Sequence, residues 1–183
     1  LKMGVKGTRT EQNLLAAFSG ESMARNKYLF YADKAEQEGN TEIASLFRRM
    51  AQNEGIHGKL LFQKLYGISD SSTNLQDAIN GEYSEWSSMY PDFAQTAREE
   101  GFEDIADLFE NIGKIEQNHE FTFMQALVDL TSNGAAQPQQ EEGIEVQGYR
   151  CIFCGATYEH RPDVCSVCHA IGSFEPATFR KNV

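Results

Sequence analysis

An internal repeat constrains the fold of this chain more than any other feature. Ala17-Phe18-Ser19-Gly20-Glu21 lines up with Ala78-Ile79-Asn80-Gly81-Glu82 at an offset of 61 residues. Past Tyr90-Pro91 the offset becomes 62, so that Gly39 falls on Gly101, Phe47 on Phe109, Glu54 on Glu116 and His57 on His119. The first half is a structural copy of the second. Each copy carries a lone Glu, Glu21 or Glu82, and one Glu-x-x-His pair, Glu54/His57 or Glu116/His119. At that spacing on a helix, carboxylate and imidazole project from one face.

That face is the apolar one. Ile43, Phe47, Met50, Glu54, His57 and Leu61 step by 4, 3, 4, 3, 4, and Ile105, Phe109, Ile112, Glu116, His119 and Phe123 step identically. This is the period of a core-facing helical seam. An isolated ionised carboxylate in such a seam is costly and takes up a proton instead. Several together, with imidazoles, call for cations. A Glu from each of two helices and a Glu-x-x-His from each of two others is the ligand set of ferritin-like di-iron and di-manganese bundles. One Glu-x-x-His alone usually reads as an exposed pair; two in register, each with a seam Glu one helix earlier, do not.

The copies differ where the chemistry is expected. Glu85 stands where the first copy has Ala24, three residues after Glu82, and Leu75, Ala78, Glu82, Glu85 and Met89 keep it in the seam, so it is predicted as a seventh metal ligand. Tyr28 and Tyr90 lie along the same stripes, placed either to hydrogen-bond a ligating carboxylate or simply to pack. Trp86, Phe18, Phe30 and Phe62 read as packing only.

All four cysteines fall in the last 33 residues as Cys151-x-x-Cys154 and Cys165-x-x-Cys168, with none left over for a disulfide framework. Four thiolates in two knuckles make a tetrahedral site that fits zinc or iron. A redox centre on the same chain favours iron, because one-electron chemistry is open to it and closed to zinc. Tyr149, Phe153, Tyr158, Phe174 and Phe179 are expected to form a small core around the site, with His160 and His169 outside it.

Helix one is predicted from a Thr10 cap to Gly39, helix two from Thr41 to Tyr66-Gly67, helix three from Leu75 to Gly101 with a kink or bulge at Tyr90-Pro91, and helix four from Glu103 to Ser132. Residues 1–134 read as the bundle, 135–147 as a linker and 148–183 as the cysteine domain. No apolar run is long enough to span a bilayer, and Leu1-Lys2-Met3-Gly4-Val5-Lys6-Gly7 lacks a signal-like apolar stretch. The net charge of −11 argues against nucleic acid or anionic membrane as a partner. Reduced cysteines point to the cytoplasm.

Together, Glu21, Glu54-x-x-His57, Glu82-x-x-Glu85, Glu116-x-x-His119, Cys151-x-x-Cys154 and Cys165-x-x-Cys168 resemble the rubrerythrin family over nearly the whole chain. Supporting stretches are Phe18-Ser19-Gly20-Glu21-Ser22, Met89-Tyr90-Pro91-Asp92-Phe93-Ala94 and Ala97-Arg98-Glu99-Glu100-Gly101-Phe102. The resemblance implies a mainly α fold: a ferritin-like four-helix bundle followed by a small C-terminal rubredoxin-like metal-knuckle domain of short β-strands. It also implies two Fe in a carboxylate-bridged site and one Fe in a rubredoxin-type site of four cysteines. The implied activity is reduction of hydrogen peroxide to water, with an external reductase or rubredoxin as electron donor and an anaerobic or microaerophilic host. By the same resemblance, one iron exchanges His57 for Glu85 on oxidation. Ile152, Ser166 and His169 depart from the family's knuckle pattern, in which Pro is frequent at the first two positions and a small residue at the third.

The link between helices two and three is short for a parallel crossover, since residues 67 to 74 would have to retrace ~28 Å, near their extended limit. The chain is therefore expected to form a domain-swapped homodimer, helices one and two of one copy completing a bundle with helices three and four of another. Two other functions compete: a ferritin-like protein that oxidises and sequesters iron, and a zinc-stapled structural protein.

Overall fold

The computed structural model describes residues 4–132 and 144–181, with side chains left out at Ile144, Arg180 and Lys181. It contains α1 (Arg9–Gln37), α2 (Thr41–Leu65), α3 (Ser71–Ser84), a π-helical turn (Glu85–Met89), α4 (Tyr90–Glu99), α5 (Glu103–Ser132), β1 (Ile144–Cys151), β2 (Thr157–Tyr158) and β3 (Phe174–Lys181). The chain is mainly α, and a small antiparallel sheet follows the helices. No described helix is long and apolar enough to cross a membrane. The residues group into two compact units, 1–69 and 70–183.

In the first unit, α1 and α2 form a hairpin. Thr8, rather than Thr10, caps α1, its hydroxyl accepting from the Glu11 N–H at 3.2 Å. The turn is set by Gly39 at φ +78°, with Asn40 N–H donating to Ala35 O at 2.8 Å and Gly39 N–H to Glu36 O at 2.9 Å. This pair of bonds satisfies the last carbonyls of α1 and requires a left-handed residue, which glycine supplies without a Cβ penalty. The helices meet through the buried alanines Ala32, Ala35, Ala44 and Ala51. Such small contacts draw backbones close and bury little area, so Ile43, Leu46, Ile56 and Leu60 stay exposed.

The second unit repeats the hairpin. Gly101 at φ +85° closes it, with Phe102 N–H to Ala97 O at 2.8 Å and Gly101 N–H to Arg98 O at 3.0 Å. Ala94, Ala97 and Ala106 form its seam. Helix three starts at Ser71, four residues before the expected Leu75, because the Asp70 carboxylate accepts from Thr73 N–H at 2.9 Å and caps it. The interruption expected at Tyr90-Pro91 is a π turn just ahead of the proline. Tyr90 N–H reaches back five residues to Glu85 O, and this wider turn absorbs the extra residue that changes the repeat offset. Pro91 then sits in the first turn of α4, where a missing N–H costs nothing.

The three strands lie in the order β2-β1-β3, all antiparallel, with Tyr149 opposite Tyr158 and Cys151 opposite Phe174. β1 already begins at Ile144, inside the stretch expected as linker; the remainder of that stretch up to Gly143 lies outside the described residues. Phe179 is buried and Tyr158 packs edge-on against Phe174 at 5.6 Å. Phe153, expected in this core, is instead 72% exposed, because it sits at the tip of its knuckle. The module lies against α5, where Ile115 joins Cys151, Ala156 and Cys165 in one buried cluster.

Candidate metal centre

The structure gathers the ligand candidates into three groups. Ligand atoms of Glu21, Glu54 and His57 lie within 4.8 Å of one another, as do those of Glu82, Glu116 and His119, and those of Cys151, Cys154, Cys165 and Cys168. The first set belongs wholly to the first unit and the other two to the second.

The two carboxylate sets are near copies. His57 Nδ1 lies 2.8 Å from Glu54 Oε2 and 3.7 Å from Glu21 Oε1, and His119 Nδ1 lies 2.5 Å from Glu116 Oε2 and 3.8 Å from Glu82 Oε1. In each, Nδ1 is the ring atom that faces the acids. The Glu54 and Glu116 side chains are largely covered, at 19% and 16% exposed. Other parts of the seam are open within one chain: Ile43 is 47% exposed, Ile105 40%, and the His57 side chain 54%. They were expected to be buried, but a hairpin of two helices lines only part of a bundle core.

Electrostatics set the second group apart. The Glu82 carboxyl is pushed up to about 7, first by burial, then by repulsion from and hydrogen bonding to Glu116, then by Glu85 and Glu120. The main influences all point one way, which identifies a group whose negative charge the protein itself does not neutralise. Glu85 is raised by burial and by Glu116, an effect His119 partly offsets. It stands beside the cluster, though its oxygens are not among the grouped ligand atoms. Tyr90 keeps its proton more tightly than usual, through burial and the charges of Glu85, Glu116 and Glu82. Its ring stacks on Phe109 at 6.1 Å, as that of Tyr28 does on Phe47 at 6.1 Å.

The cysteine knuckles have their own symmetry. Cys151 N–H donates to Ala156 O and Gly155 N–H to Cys151 O; fourteen residues on, Cys165 N–H donates to Ala170 O and His169 N–H to Cys165 O. Gly155 and His169 are both left-handed, at φ +79° and +60°. Sγ separations of 3.7 Å for Cys151–Cys168 and 3.5 Å for Cys154–Cys165 are close to the roughly 3.8 Å edge of a tetrahedron with metal–sulfur bonds of about 2.3 Å. Burial pushes the Cys154 thiol up to about 12. Burial also raises Cys165, but the Cys168 N–H, the Tyr158 hydroxyl and the Val167 N–H outweigh it and bring the thiol down to about 6. Tyr158, expected only to pack, thus also holds sulfur, its hydroxyl 3.1 Å from Cys165 Sγ and anchored by Ser166 N–H at 3.0 Å.

The cysteine module approaches one of the histidines. A Cβ on Gly155 would stand 2.7 Å from His119 Nε2 and 3.0 Å from Ile115 Cγ2. Only glycine fits between the first knuckle and the imidazole whose other nitrogen faces Glu116.

Two residues read from the sequence as packing behave otherwise. Phe30 is 66% exposed. Trp86 donates its indole N–H to Glu120 Oε2 at 2.6 Å. The available signal was the repeat itself, which places Arg25 and Gly58 at the matching positions.

Comparison with known proteins agrees with the geometry. A family profile described as Rubrerythrin matches residues 12–70 and again 65–127, one match per copy of the repeat. The chain is 37% identical to the rubrerythrin of Porphyromonas gingivalis, over 96% of this chain and 94% of that one. It is 36% identical to rubrerythrin-1 of Clostridium acetobutylicum, over 93% and 95%. Identity to the rubrerythrin of Nitratidesulfovibrio vulgaris is 35%, again over 93% and 95%.

Proposed function

Because the chain belongs to the rubrerythrin family, whose members carry a di-iron site, we propose that it is a hydrogen peroxide reductase. The balanced reaction takes one peroxide, two electrons and two protons to two waters. The carboxylate and imidazole donors fit iron, and the four sulfurs suit a rubredoxin-type iron site. When bound, two irons supply a pair of electrons and Lewis acidity at the peroxide, and the cysteine iron passes electrons singly. The observation that supports the reading is the seat of the first cysteine knuckle against His119, a four-sulfur group beside a carboxylate site.

Each residue then has a task. Glu21, Glu54, His57, Glu82, Glu116 and His119 hold the pair of metals, with Nδ1 of each imidazole as donor. Glu85 would be the additional acid, an anionic donor available to the oxidised metal in place of His57. Tyr90, and Tyr28 at the matching place, present hydroxyls to the acids. Cys151, Cys154, Cys165 and Cys168 hold the third iron. Electrons come from an external reductase or rubredoxin, in the reducing cytoplasm where four free thiols persist.

The reading includes a second copy of the chain. Each unit holds only one of the two Glu/Glu/His sets. If α2 and α3 ran parallel in one bundle with both acid sets at one level, the chain between His57 and Glu82 would have to turn back about 29 Å of helix rise. The connector between Leu65 and Ser71 reaches about 20 Å when fully extended. A domain-swapped dimer removes the conflict and covers the exposed apolar side chains of α2 and α5.

Mixing the fully reduced protein with one equivalent of peroxide tests the activity. Prompt oxidation at the carboxylate site, followed by loss of reduced cysteine-site signal, is expected. Reactivity with dioxygen and iron(II) but not with peroxide would replace this reading with ferritin-like iron storage. Zinc in the cysteine site would remove the electron route.

A further inference from the structure

The two copies of the repeat depart from each other in one cluster. Ser22, Ala24, Arg25 and Gly58 of the first become Tyr83, Glu85, Trp86 and Glu120 of the second, and the π turn begins at Glu85. Three of these residues are joined. Trp86 Nε1 donates to Glu120 Oε2 at 2.6 Å across to α5, in a part-buried setting, and the Tyr83 ring packs edge-on against the indole at 5.5 Å and 87°. The first copy has Arg25 and Gly58 at these places, so no side-chain acceptor faces the donor, and it has neither the extra acid nor the wide turn.

A π turn is less well bonded than an α-helix and persists where surrounding contacts hold it. The Trp86–Glu120 bond is such a contact. It fixes the first residue after Glu85 to the residue after His119, and so fixes the direction in which the Glu85 side chain leaves the helix. We propose that Trp86 and Glu120 are positioning residues, a latch that holds the π turn and aims Glu85 at the metal pair. The proposal rests on the reading of Glu85 as a ligand given above.

Trp86 is the chain's single tryptophan, so its fluorescence reports the bond directly. The full-length chain and the variants Trp86→Phe, Glu120→Ala, Glu120→Gln and Glu85→Ala are compared, metal-free and on titration with cobalt(II). Thiolate-to-cobalt absorption separates the cysteine site from the carboxylate site. The latch predicts a red-shifted emission in Glu120→Ala, faster amide hydrogen exchange over residues 85–90 in Trp86→Phe and Glu120→Ala, and about tenfold weaker binding of one of the two carboxylate-site cobalt ions, the usual loss when the support of a ligand is removed. Glu120→Gln keeps an acceptor and restores all three. If Glu85→Ala weakens one cobalt ion while Trp86→Phe and Glu120→Ala leave both cobalt affinity and amide exchange unchanged, the latch is overturned. If Glu85→Ala leaves cobalt binding intact, Glu85 is not a ligand and that reading falls, while amide exchange still decides whether the bond holds the turn.

Discussion

The hairpin of α1 and α2 and the hairpin built from α3, the π turn, α4 and α5 are two versions of one design. Their likenesses extend to ring geometry. Phe47 is flanked by Tyr28 at 6.1 Å and Tyr31 at 5.5 Å, and Phe109 by Tyr90 at 6.1 Å and Phe93 at 5.6 Å. Even an ion pair recurs with its signs exchanged: Arg48 binds Glu36 in the first hairpin, and Glu110 binds Arg98 at the same two positions in the second. What is held constant is therefore the contact, and either partner can carry the charge. The turn that carries Glu85 is different. There the second hairpin gains an acid, an indole, a carboxylate to hold it and one extra residue, and it alone is followed by the cysteine module. The scaffold is duplicated, whereas the features that set the copies apart are concentrated in one half.

The largest test of this comparison inactivates one hairpin at a time. A chain with Glu21→Ala and Glu54→Ala is mixed, through unfolding and refolding, with a chain carrying Glu82→Ala and Glu116→Ala. Swapped hairpins rebuild one intact site in each mixed dimer, so about a quarter of the wild-type carboxylate-site metal and peroxide turnover returns for random pairing. Unswapped chains recover none.

Next in size is Gly155→Ala. The new methyl meets His119 and Ile115, and the left-handed backbone adds strain, for a combined loss of about 3 kcal/mol in the stability of the second unit. Thermal unfolding of the metal-free protein measures it, and His119 NMR shifts should move with it.

The Glu82→Gln change asks whether the second acid set is held under repulsion. A carboxyl raised to about 7 in the fold, from 4.5 when unfolded, favours the folded state fully below the lower value. That contribution is lost as pH rises through the higher one. Metal-free wild type should therefore weaken between pH 5 and pH 8, and the Gln variant should exceed it by about 2 kcal/mol at pH 8, while losing metal.

The two knuckles allow a smaller test. His169 occupies the left-handed place that Gly155 fills in the first knuckle, so His169→Gly should stabilise the cysteine module by about 1 kcal/mol. A chemical-denaturation midpoint that fails to rise would mean that the His169 side chain makes up the strain. Smallest of all is the exchanged ion pair. Arg48→Glu should lower the melting temperature slightly, and adding Glu36→Arg should restore it, since exposed pairs contribute little beyond their mutual fit.

Much of the site is legible in the sequence, because ligand chemistry needs particular residue types at helical spacing. Glu54/His57, Glu116/His119, Glu21 and Glu82 fall into groups as the repeat implies, and the four cysteines converge as two knuckles. The hairpin turns are equally legible, since Gly39 and Gly101 answer a backbone need that few residues meet. The early start of α3 was hidden because capping by Asp70 depends on a side chain folding back on its own backbone, which apolar periodicity does not register. Trp86 and Glu120 escaped for a related reason: they lie 34 residues apart, and an indole scores as apolar whether or not its N–H has a partner. Phe153 misled in the opposite direction, because a knuckle tip turns its side chain outward whatever its hydrophobicity.

The five residues from Glu85 to Met89 contain the single excess residue that separates the two copies of the repeat. Deleting one of them would leave the second hairpin free to wind as the first does, with the later side chains kept on the faces they already occupy. The wide turn that sets the halves apart thus hangs on one codon. A symmetrical version of this protein would need that deletion together with replacement of Glu85, Trp86 and Glu120.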